Sequence, residues 1–402
     1  MFHQPTRAMR RDLAQLLCSV LGLVLGLLAP SLSAGPQVEA GRVASLLFTI
    51  GFGVISLVSI IYSMLFLVVQ FSATSFTPRL GLFREEPIVW RAFAFTLGVF
   101  VFCVSAGLAI GAREEVSVAV PCVAMLLALI ALAFMRTLQT KAFVSIQLGH
   151  SLTAIATGAH ALFDALYERP YEPGRSPAPA AADAGRSPAG AATAVHWSGP
   201  AAVLQQVDVA TLVRAATARD CAIAFRAAPG RTLTHGTALA GVTGGALPDR
   251  VLHRALVTGV ERTFDQDPEL PFRLLVDIAL RALSAAVNDP ATAVESLDRL
   301  EDLLTRLAGR DLDIGRFADG TGRLRVTLPV PDWDRYVRTT VDDLAVAAAG
   351  SPMALRRLRD LLAGLLERAP EDRRPVVRER LQWVERTGGD TYPLTWTPYT
   401  AG

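Results

Sequence analysis

The densest grouping of polar side chains surrounds two Asp-Pro pairs. Asp265 and Asp267 stand just before one proline, and Asn288 and Asp289 stand just before another. Carboxylate and amide oxygens are the ligands that hard divalent cations prefer, so these side chains could bind such a cation if the two pairs converge. Asp before Pro is also a favoured way to begin a helix. Helix capping is the commoner use of such residues, and the cation site is the alternative hypothesis.

No other side chains have the spacing of a catalytic or cofactor site. The six histidines include no pair at metal-ligand spacing, and the four cysteines show no paired spacing. A nucleophile with a base and a phosphate-binding loop are likewise missing from the sequence. We therefore predict no cofactor and do not favour an enzyme. An enzyme acting on lipid or envelope substrates is a weaker third hypothesis.

A second candidate site follows one side of the strongly apolar segment 44–71. At about 100° per residue, its small and polar side chains fall within an arc of about 120°. The members of this polar stripe are Ser45, Thr49, Gly53, Ser56, Ser59, Ser63 and Gln70. Such a stripe can pack one helix closely against another. Alternatively, copies of the helix can surround a water path in which the hydroxyls replace part of an ion's hydration shell.

The composition identifies the class of protein that carries these residues. Hydrophobic residues make up 51% of 402, and the excess lies before residue 136. This pattern is typical of a membrane protein with a soluble tail. The formal net charge is only +2, and basic residues alternate with acidic ones in the C-terminal half. Nucleic acid is therefore excluded as an expected partner, while membrane lipid is implied.

Four apolar segments are long enough to cross a membrane as helices, which takes about 20 residues each. They are residues 13–29, 44–71, 88–110 and 116–135. Basic residues concentrate before the first segment, between the second and third, and after the fourth. This asymmetry predicts that the N-terminus, the middle loop and the C-terminal half are cytoplasmic.

Two parts of this topology have a second interpretation. The first segment has the order of a signal peptide, but its long apolar core favours a retained helix. Arg79, Arg84 and Arg91 crowd the middle loop, where they are expected to anchor the protein at the inner membrane surface. The alternative is that they line an inner vestibule or dock the domain that follows.

The C-terminal half divides into three parts. Residues 136–168 have the apolar spacing of an amphipathic helix, and residues 169–194 are rich in Pro, Ala, Gly and Ser, as in a disordered linker. Residues 202–390 are predicted to form a mostly helical α/β domain with a small sheet. Its strands include AVLQQV, CAIAFRA and GRLRVTLPV, and the last alternates so that Val326 faces inward while Arg325 faces solvent.

Three stretches together resemble a bacterial family of predicted membrane proteins, catalogued as domain of unknown function 2254. The stretches read LVVQFSATSFTPRL, RTFDQDPELPFRLLVDIALRAL and SAAVNDPATAVESLDRLEDLL. This chain departs from the family pattern around Asn288, where it has Ala285, Ala286 and Ala291. The resemblance implies a bacterial inner-membrane protein of this architecture, and it implies no activity.

The sequence thus favours a homo-oligomeric ion channel or pore-like protein whose cytoplasmic domain assembles and gates it. The hypothesis rests on the polar stripe and on the lack of catalytic side chains. The alternative is a non-conducting sensor or scaffold in which the stripe only packs and the cytoplasmic domain binds a partner or a small ligand.

Overall fold

The computed structural model describes residues 7–31, 34–75, 87–111, 113–146, 148–173 and 192–397. The chain divides after His150 into two compact units. The first unit is built from apolar helices and one short antiparallel pair of strands. The second unit combines helices with two small sheets. The expected architecture of apolar helices followed by a mostly helical α/β domain is therefore confirmed in outline.

The first unit contains four helices and two short strands. The helices are α1 (Arg7–Leu28), α2 (Ala40–Ser75), α3 (Pro87–Ile110) and α4 (Ala119–Ile146). The antiparallel strands β1 (Gln37–Glu39) and β2 (Glu115–Ser117) lie directly before α2 and α4. Their pairing ties the N-terminal ends of these two helices together.

Three of these helices, among the residues described, are long and apolar enough to cross a membrane. The qualifying stretches are Ala40–Ile60, Trp90–Ile110 and Ala119–Thr140, whereas Leu13–Leu28 is a shorter apolar helix. Four spans were predicted, so the count of four is not confirmed by the described residues. α2 is also longer than predicted: its 36 residues extend about 54 Å, against a hydrocarbon layer of about 30 Å.

α1 and α3 cross at glycines that allow their backbones to touch. A Cβ atom on Gly22 would collide with the carbonyl oxygen of Gly98, and one on Gly26 would lie 2.8 Å from that of Phe102. Glycines four residues apart on an apolar helix let two membrane helices approach closely. α2 packs on α3 at Gly51, where an added Cβ would lie 3.0 Å from Cys103, and Val43 and Leu47 of α2 belong to the buried core of this unit.

The second unit contains eight helices and eight strands among its described residues. The helices are α5 (Leu148–Leu166), α6 (Val209–Ala218), α7 (Asp249–Arg254), α8 (Leu270–Ala282), α9 (Pro290–Ala308), α10 (Trp333–Ala348), α11 (Pro352–Arg368) and α12 (Arg374–Thr391). The strands are β3 (Thr193–His196), β4 (Ala202–Val207), β5 (Cys221–Phe225), β6 (Thr232–Leu233), β7 (Ala238–Gly244), β8 (Leu256–Gly259), β9 (Arg316–Ala318) and β10 (Leu324–Thr327).

These strands form two sheets where one was expected. The larger has the order β3-β7-β5-β10-β9, and the smaller has the order β6-β4-β8. The predicted succession AVLQQV, short helix, CAIAFRA is confirmed as β4, α6 and β5. The outward orientation expected for Arg325 is wrong, because this side chain is 6% exposed. Two carboxylates compensate the buried guanidinium, Asp319 at 2.7 Å and Asp220 at 2.9 Å.

α5 is part of the core of the second unit. Its side chains Leu152, Ile155, Leu162 and Phe163 are buried, and so is Tyr167, the residue that follows the helix. The Tyr167 hydroxyl lies 2.6 Å from that of Tyr336 on α10, and the Phe163 ring stacks on Phe272 of α8 at 6.0 Å. The amphipathic pattern of this segment thus reflects burial against α8 and α10.

The linker prediction falls mainly on residues 174–191, which lie outside the described part of the chain. The ends of the predicted segment 169–194 are ordered. The Tyr171 amide donates to the carbonyl of Gly309, and the guanidinium of Arg373 lies 3.9 Å from the centre of the Tyr171 ring. At the other end, Thr193 and Ala194 belong to β3.

Candidate functional site

The polar stripe lies on the side of α2 that its own unit leaves uncovered. All seven members, Ser45, Thr49, Gly53, Ser56, Ser59, Ser63 and Gln70, are exposed. Val43, Leu47, Gly51 and Val58 are buried on the same helix. At about 100° per residue these buried positions lie roughly half a turn from the stripe. Packing within one chain therefore does not account for the stripe.

Three of the five stripe hydroxyls are satisfied by the backbone of their own helix. Thr49 donates to the carbonyl of Ser45 at 2.8 Å, and Ser63 donates to that of Ser59 at 2.9 Å. Ser59 bonds the carbonyl of Ile55 in the same way, at 3.1 Å. An apolar environment therefore leaves none of these three hydroxyls without a partner, while each keeps lone pairs that could accept a bond from water or coordinate a cation.

Apolar side chains interrupt the stripe. Phe52 is 56% exposed and Ile60 is 67% exposed, and both fall within the same arc at about 100° per residue. Phe52 also contacts Phe100 of α3 edge-to-face, with ring centroids 5.9 Å apart. Around a water path such residues would form apolar constrictions. Between packed helices they would fill the spaces that the small residues leave.

The basic residues of the middle loop are only partly placed. Arg79 and Arg84 lie outside the described residues. Arg91 lies in the first two turns of α3 and is exposed.

The first Asp-Pro pair serves an ion pair instead of a helix cap. α8 begins at Leu270 with Glu269 as its N-cap residue, so the expectation that Asp267 caps it is wrong. Asp267 is 2% exposed and accepts two hydrogen bonds from Arg262, at 2.5 and 2.8 Å. Burial raises the pKa of Asp267, and the Arg262 guanidinium opposes that shift. The buried Asp267 carboxylate is therefore stabilised by its ion pair with Arg262, and it does not cap α8.

The second Asp-Pro pair caps α9, as predicted. Asp289 accepts from the Thr292 amide at 3.2 Å and from its hydroxyl at 2.6 Å. These bonds lower the pKa of Asp289. Asn288 adopts a positive φ of 49°, and Asp265 is exposed.

The structure does not bring the four candidate cation ligands into one site. Asp267 and Asp289 each have the partners described above. Among the described residues, no three His, Cys, Asp or Glu side chains lie close enough together to hold a metal ion. We do not propose a cation site here.

Sequence reasoning missed the residues that join α1 to α3. The signal was present as GLVLG, Gly22 to Gly26, within the first apolar segment. Glycines at this spacing in an apolar helix are a known pattern of close helix packing. Opposite Gly26, α3 carries the small side chain of Ser105, which also allows the two helices to approach closely.

Comparisons with known proteins identify a family, but the matching family and relatives are described without an activity. The family model described as predicted membrane protein (DUF2254) matches residues 13–364. The chain is 27% identical over 370 residues to the uncharacterized protein Mb1321c of Mycobacterium bovis, with 87% of this chain and 69% of the relative covered. The same values hold for the uncharacterized protein Rv1290c of Mycobacterium tuberculosis. No solved structure matches the chain.

Proposed function

Because the chain belongs to the family of predicted membrane proteins catalogued as domain of unknown function 2254, we propose a function that a membrane location makes available. In this proposal the chain forms a homo-oligomeric, pore-like protein of the bacterial inner membrane. Copies of α2 meet along the polar stripe and conduct ions between them, and the second unit, on the cytoplasmic side, assembles and gates the oligomer. The observation that carries the proposal is the exposure of the entire stripe opposite the packed side of α2.

The chemistry of the stripe supports a second copy of α2 as its neighbour. Lipid tails gain nothing from hydroxyls or from the Gln70 amide, whereas small residues let two helices approach closely and bond across the contact. Closed rotational symmetry is the usual arrangement of identical subunits, and it would place the same stripe around one axis. The rings of hydroxyls at Thr49 and Ser56 would then replace part of an ion's hydration shell.

The proposal includes four spanning helices with the N-terminus in the cytoplasm. The apolar part of α1 is short, but its contact with α3 at Gly22 and Gly26 is the kind that holds two membrane helices side by side. The distribution of basic residues supports the orientation.

Conductance of the reconstituted full-length protein tests the proposal. Thr49→Leu should reduce the unit conductance, because it replaces a hydroxyl of the stripe with a larger apolar side chain. Thr137→Leu on α4 is the matched control: it is also exposed, and its hydroxyl bonds its own helix at 2.9 Å. A protein that is silent in every lipid tested, or equal effects of the two substitutions, would overturn the proposal.

The interruptions at Phe52 and Ile60 favour a second candidate function. In this alternative the oligomer does not conduct and serves as a membrane-anchored sensor or scaffold, with α2 packed against α2. In that case the wild type would not conduct, and Thr49→Leu would only weaken the oligomer. Native mass spectrometry together with the conductance measurement separates the two candidates.

A further inference from the structure

One end of the larger sheet lacks carboxylates and carries exposed cationic and aromatic side chains. Between Ala192 and Val207, and again between Cys221 and Pro248, the sequence contains no Asp or Glu. The Trp197 surface, as we call it, comprises Trp197, Arg226 and His235 at this end of the sheet, Arg231 in the loop before β6, and His253 and Arg254 on α7. Its three arginines and His235 are exposed, while Trp197 and His253 are half-buried.

Backbone hydrogen bonds bring these side chains together from separate segments. The Trp197 amide donates to the carbonyl of Thr237, and the Gly236 amide donates to the carbonyl of Trp197. The turn that carries His235 is thereby fixed beside Trp197. The Arg226 amide donates to the carbonyl of Leu239, only two residues beyond that turn.

Ring stacking adds the short helix α7 to the same surface. The His253 ring lies parallel to the Trp197 ring, with centroids 5.6 Å apart and planes inclined by 7°. The Trp197 indole nitrogen donates to the carbonyl of Pro200 at 2.8 Å, which fixes the ring. Arg254 is the next residue on α7.

The positive charge of the Trp197 surface is not neutralised by the protein. In the described part of the chain, the guanidinium groups of Arg226, Arg231 and Arg254 have no ion pair. Several arginines of the helical half are paired, by contrast: Arg357 pairs with Asp298 and Glu301, and Arg380 pairs with Asp342.

Three carboxylates on adjoining segments do not remove this charge. Asp267, which contacts the loop at Gly230, is already paired with Arg262, and Asp208 caps α6. Asp249 at the start of α7 is exposed and offsets one of the three guanidinium charges at most.

We propose that the Trp197 surface docks the second unit on the anionic phosphate headgroups of the membrane that holds the chain. Unpaired arginines beside a half-buried tryptophan match the interface of a bilayer, where cations meet headgroup phosphates and the indole lies between water and the acyl chains. The family consists of predicted membrane proteins, so a lipid surface is always within reach of this tethered unit. Tethering raises the effective concentration of headgroups without any further contact. The proposal does not depend on ion conduction.

Quenching of Trp197 by brominated lipid tests the proposal on the full-length protein. The protein is placed in nanodiscs that contain brominated phosphatidylglycerol or, for comparison, brominated phosphatidylcholine. The Trp197 signal is the difference between wild type and Trp197→Phe. Brominated phosphatidylglycerol should quench this signal more strongly than brominated phosphatidylcholine, and raising the salt concentration should weaken the effect.

Charge reversal supplies the decisive comparison. Arg226→Glu combined with Arg231→Glu should lower the quenching by about half or more, since each arginine near an anionic surface contributes separately. Arg299→Glu combined with Arg378→Glu is the matched control, because both arginines are exposed on the helical half and make no ion pair in the described residues. The proposal would be overturned if both lipids quenched the Trp197 signal equally, or if the two double variants lost the same fraction of the quenching. The proposal would also be overturned if inorganic phosphate changed the Trp197 fluorescence signal in lipid-free detergent while brominated lipid did not quench it. A soluble anion would then be the ligand.

Discussion

Arg262 and Asp267 form the most buried bidentate pair of the second unit. Moving a carboxylate out of water is costly, and only close hydrogen bonds to a cation recover that free energy. The loop at Gly230 comes so near that a Cβ there would collide with the Asp267 carboxylate, and its φ of +87° also favours glycine. The pair thus joins the segment before α8 to the loop between β5 and β6.

Removing one member of this pair should destabilise the second unit strongly. We expect Arg262→Met to lower the free energy of unfolding by about 3–5 kcal/mol, because it leaves a buried charge without a partner. The double variant Arg262→Met/Asp267→Leu should recover most of the loss. Arg338→Met is the control, since the exposed contact of Arg338 with Asp334 is 3.9 Å and is worth about 1 kcal/mol at most. Urea unfolding followed by tryptophan fluorescence measures all three, and a double variant as unstable as the single one would contradict the expectation.

Asp319 should make stability depend on acidic pH. Hydrogen bonds from the Thr321 hydroxyl and from Arg325 lower the pKa of Asp319 well below its usual range. A carboxylate with a lower pKa in the folded state stabilises the fold above its unfolded pKa, and this contribution is lost as pH falls through the folded pKa.

The melting temperature of the wild type should therefore fall more steeply below about pH 4 than that of Asp319→Asn. The variant should also be less stable at neutral pH. Asp313→Asn is the control, because the Asp313 carboxylate is 3.5 Å from Arg316 at a partly exposed site. Parallel pH profiles of wild type and Asp319→Asn would count against the role of Asp319.

Local patterns predicted side-chain roles only where no distant residue competed. The Asp-Pro pattern identified Asp289 as a helix cap because the partners of its carboxylate, Ala291 and Thr292, lie only two and three residues along the chain. The same pattern misassigned Asp267, whose carboxylate is taken by Arg262. Alternation misplaced Arg325 because it contains no information on Asp220, which lies 105 residues earlier in the chain.

At the scale of elements, α1 is held against α3 by close backbone contact. We expect Gly26→Leu to lower stability in detergent by about 1–3 kcal/mol, because the new side chain cannot fit between the two helices. Leu23→Met is the matched control on the same helix, since Leu23 is 44% exposed. Thermal unfolding of the purified protein measures both variants.

The same contact predicts that the first apolar segment is retained. Peptides from α1 should then be found when the purified protein is digested and analysed by mass spectrometry. Their absence would show that α1 is removed as a signal peptide.

α5 should be required for the second unit to fold. Its four large buried side chains and that of Tyr167 directly after it are worth roughly 1.5–3 kcal/mol each, a sum comparable with the total stability of about 5–15 kcal/mol of a typical domain. A fragment of residues 148–402 should therefore unfold cooperatively, whereas residues 202–402 should not. Circular dichroism during heating distinguishes the two, and a cooperative transition in the shorter fragment would show that α5 is dispensable.

The boundaries of elements followed from sequence where periodicity and caps agreed. The third apolar segment, residues 88–110, coincides with α3 almost to the residue. The pairing of β1 with β2 was not predicted, because strands of three residues contain too few positions to show alternation. The division of the strands into two sheets depends on long-range pairing, such as that of β5 with β10, which periodicity does not encode.

At the scale of the whole molecule, the stripe predicts self-association. Native mass spectrometry in detergent should give a multiple of 43.0 kDa. Thr49→Leu combined with Ser56→Leu should shift the protein toward the monomer, because larger side chains prevent close approach of two α2 helices. Thr137→Leu should leave the distribution unchanged. A wild type that is monomeric in several mild detergents would contradict the expected assembly.

The length of α2 has a consequence for the membrane around it. The apolar stretch 44–71 lies wholly within this one helix and measures about 42 Å, against about 30 Å of hydrocarbon. Such hydrophobic mismatch is relieved when a helix inclines, by about 45° for these lengths if nothing else adjusts, or when the bilayer thickens locally. Lipids with longer acyl chains would let α2 stand more upright and would change the angle at which two stripes cross. The proposed oligomer should therefore respond to bilayer thickness, so that a change in lipid chain length changes how two α2 helices pack.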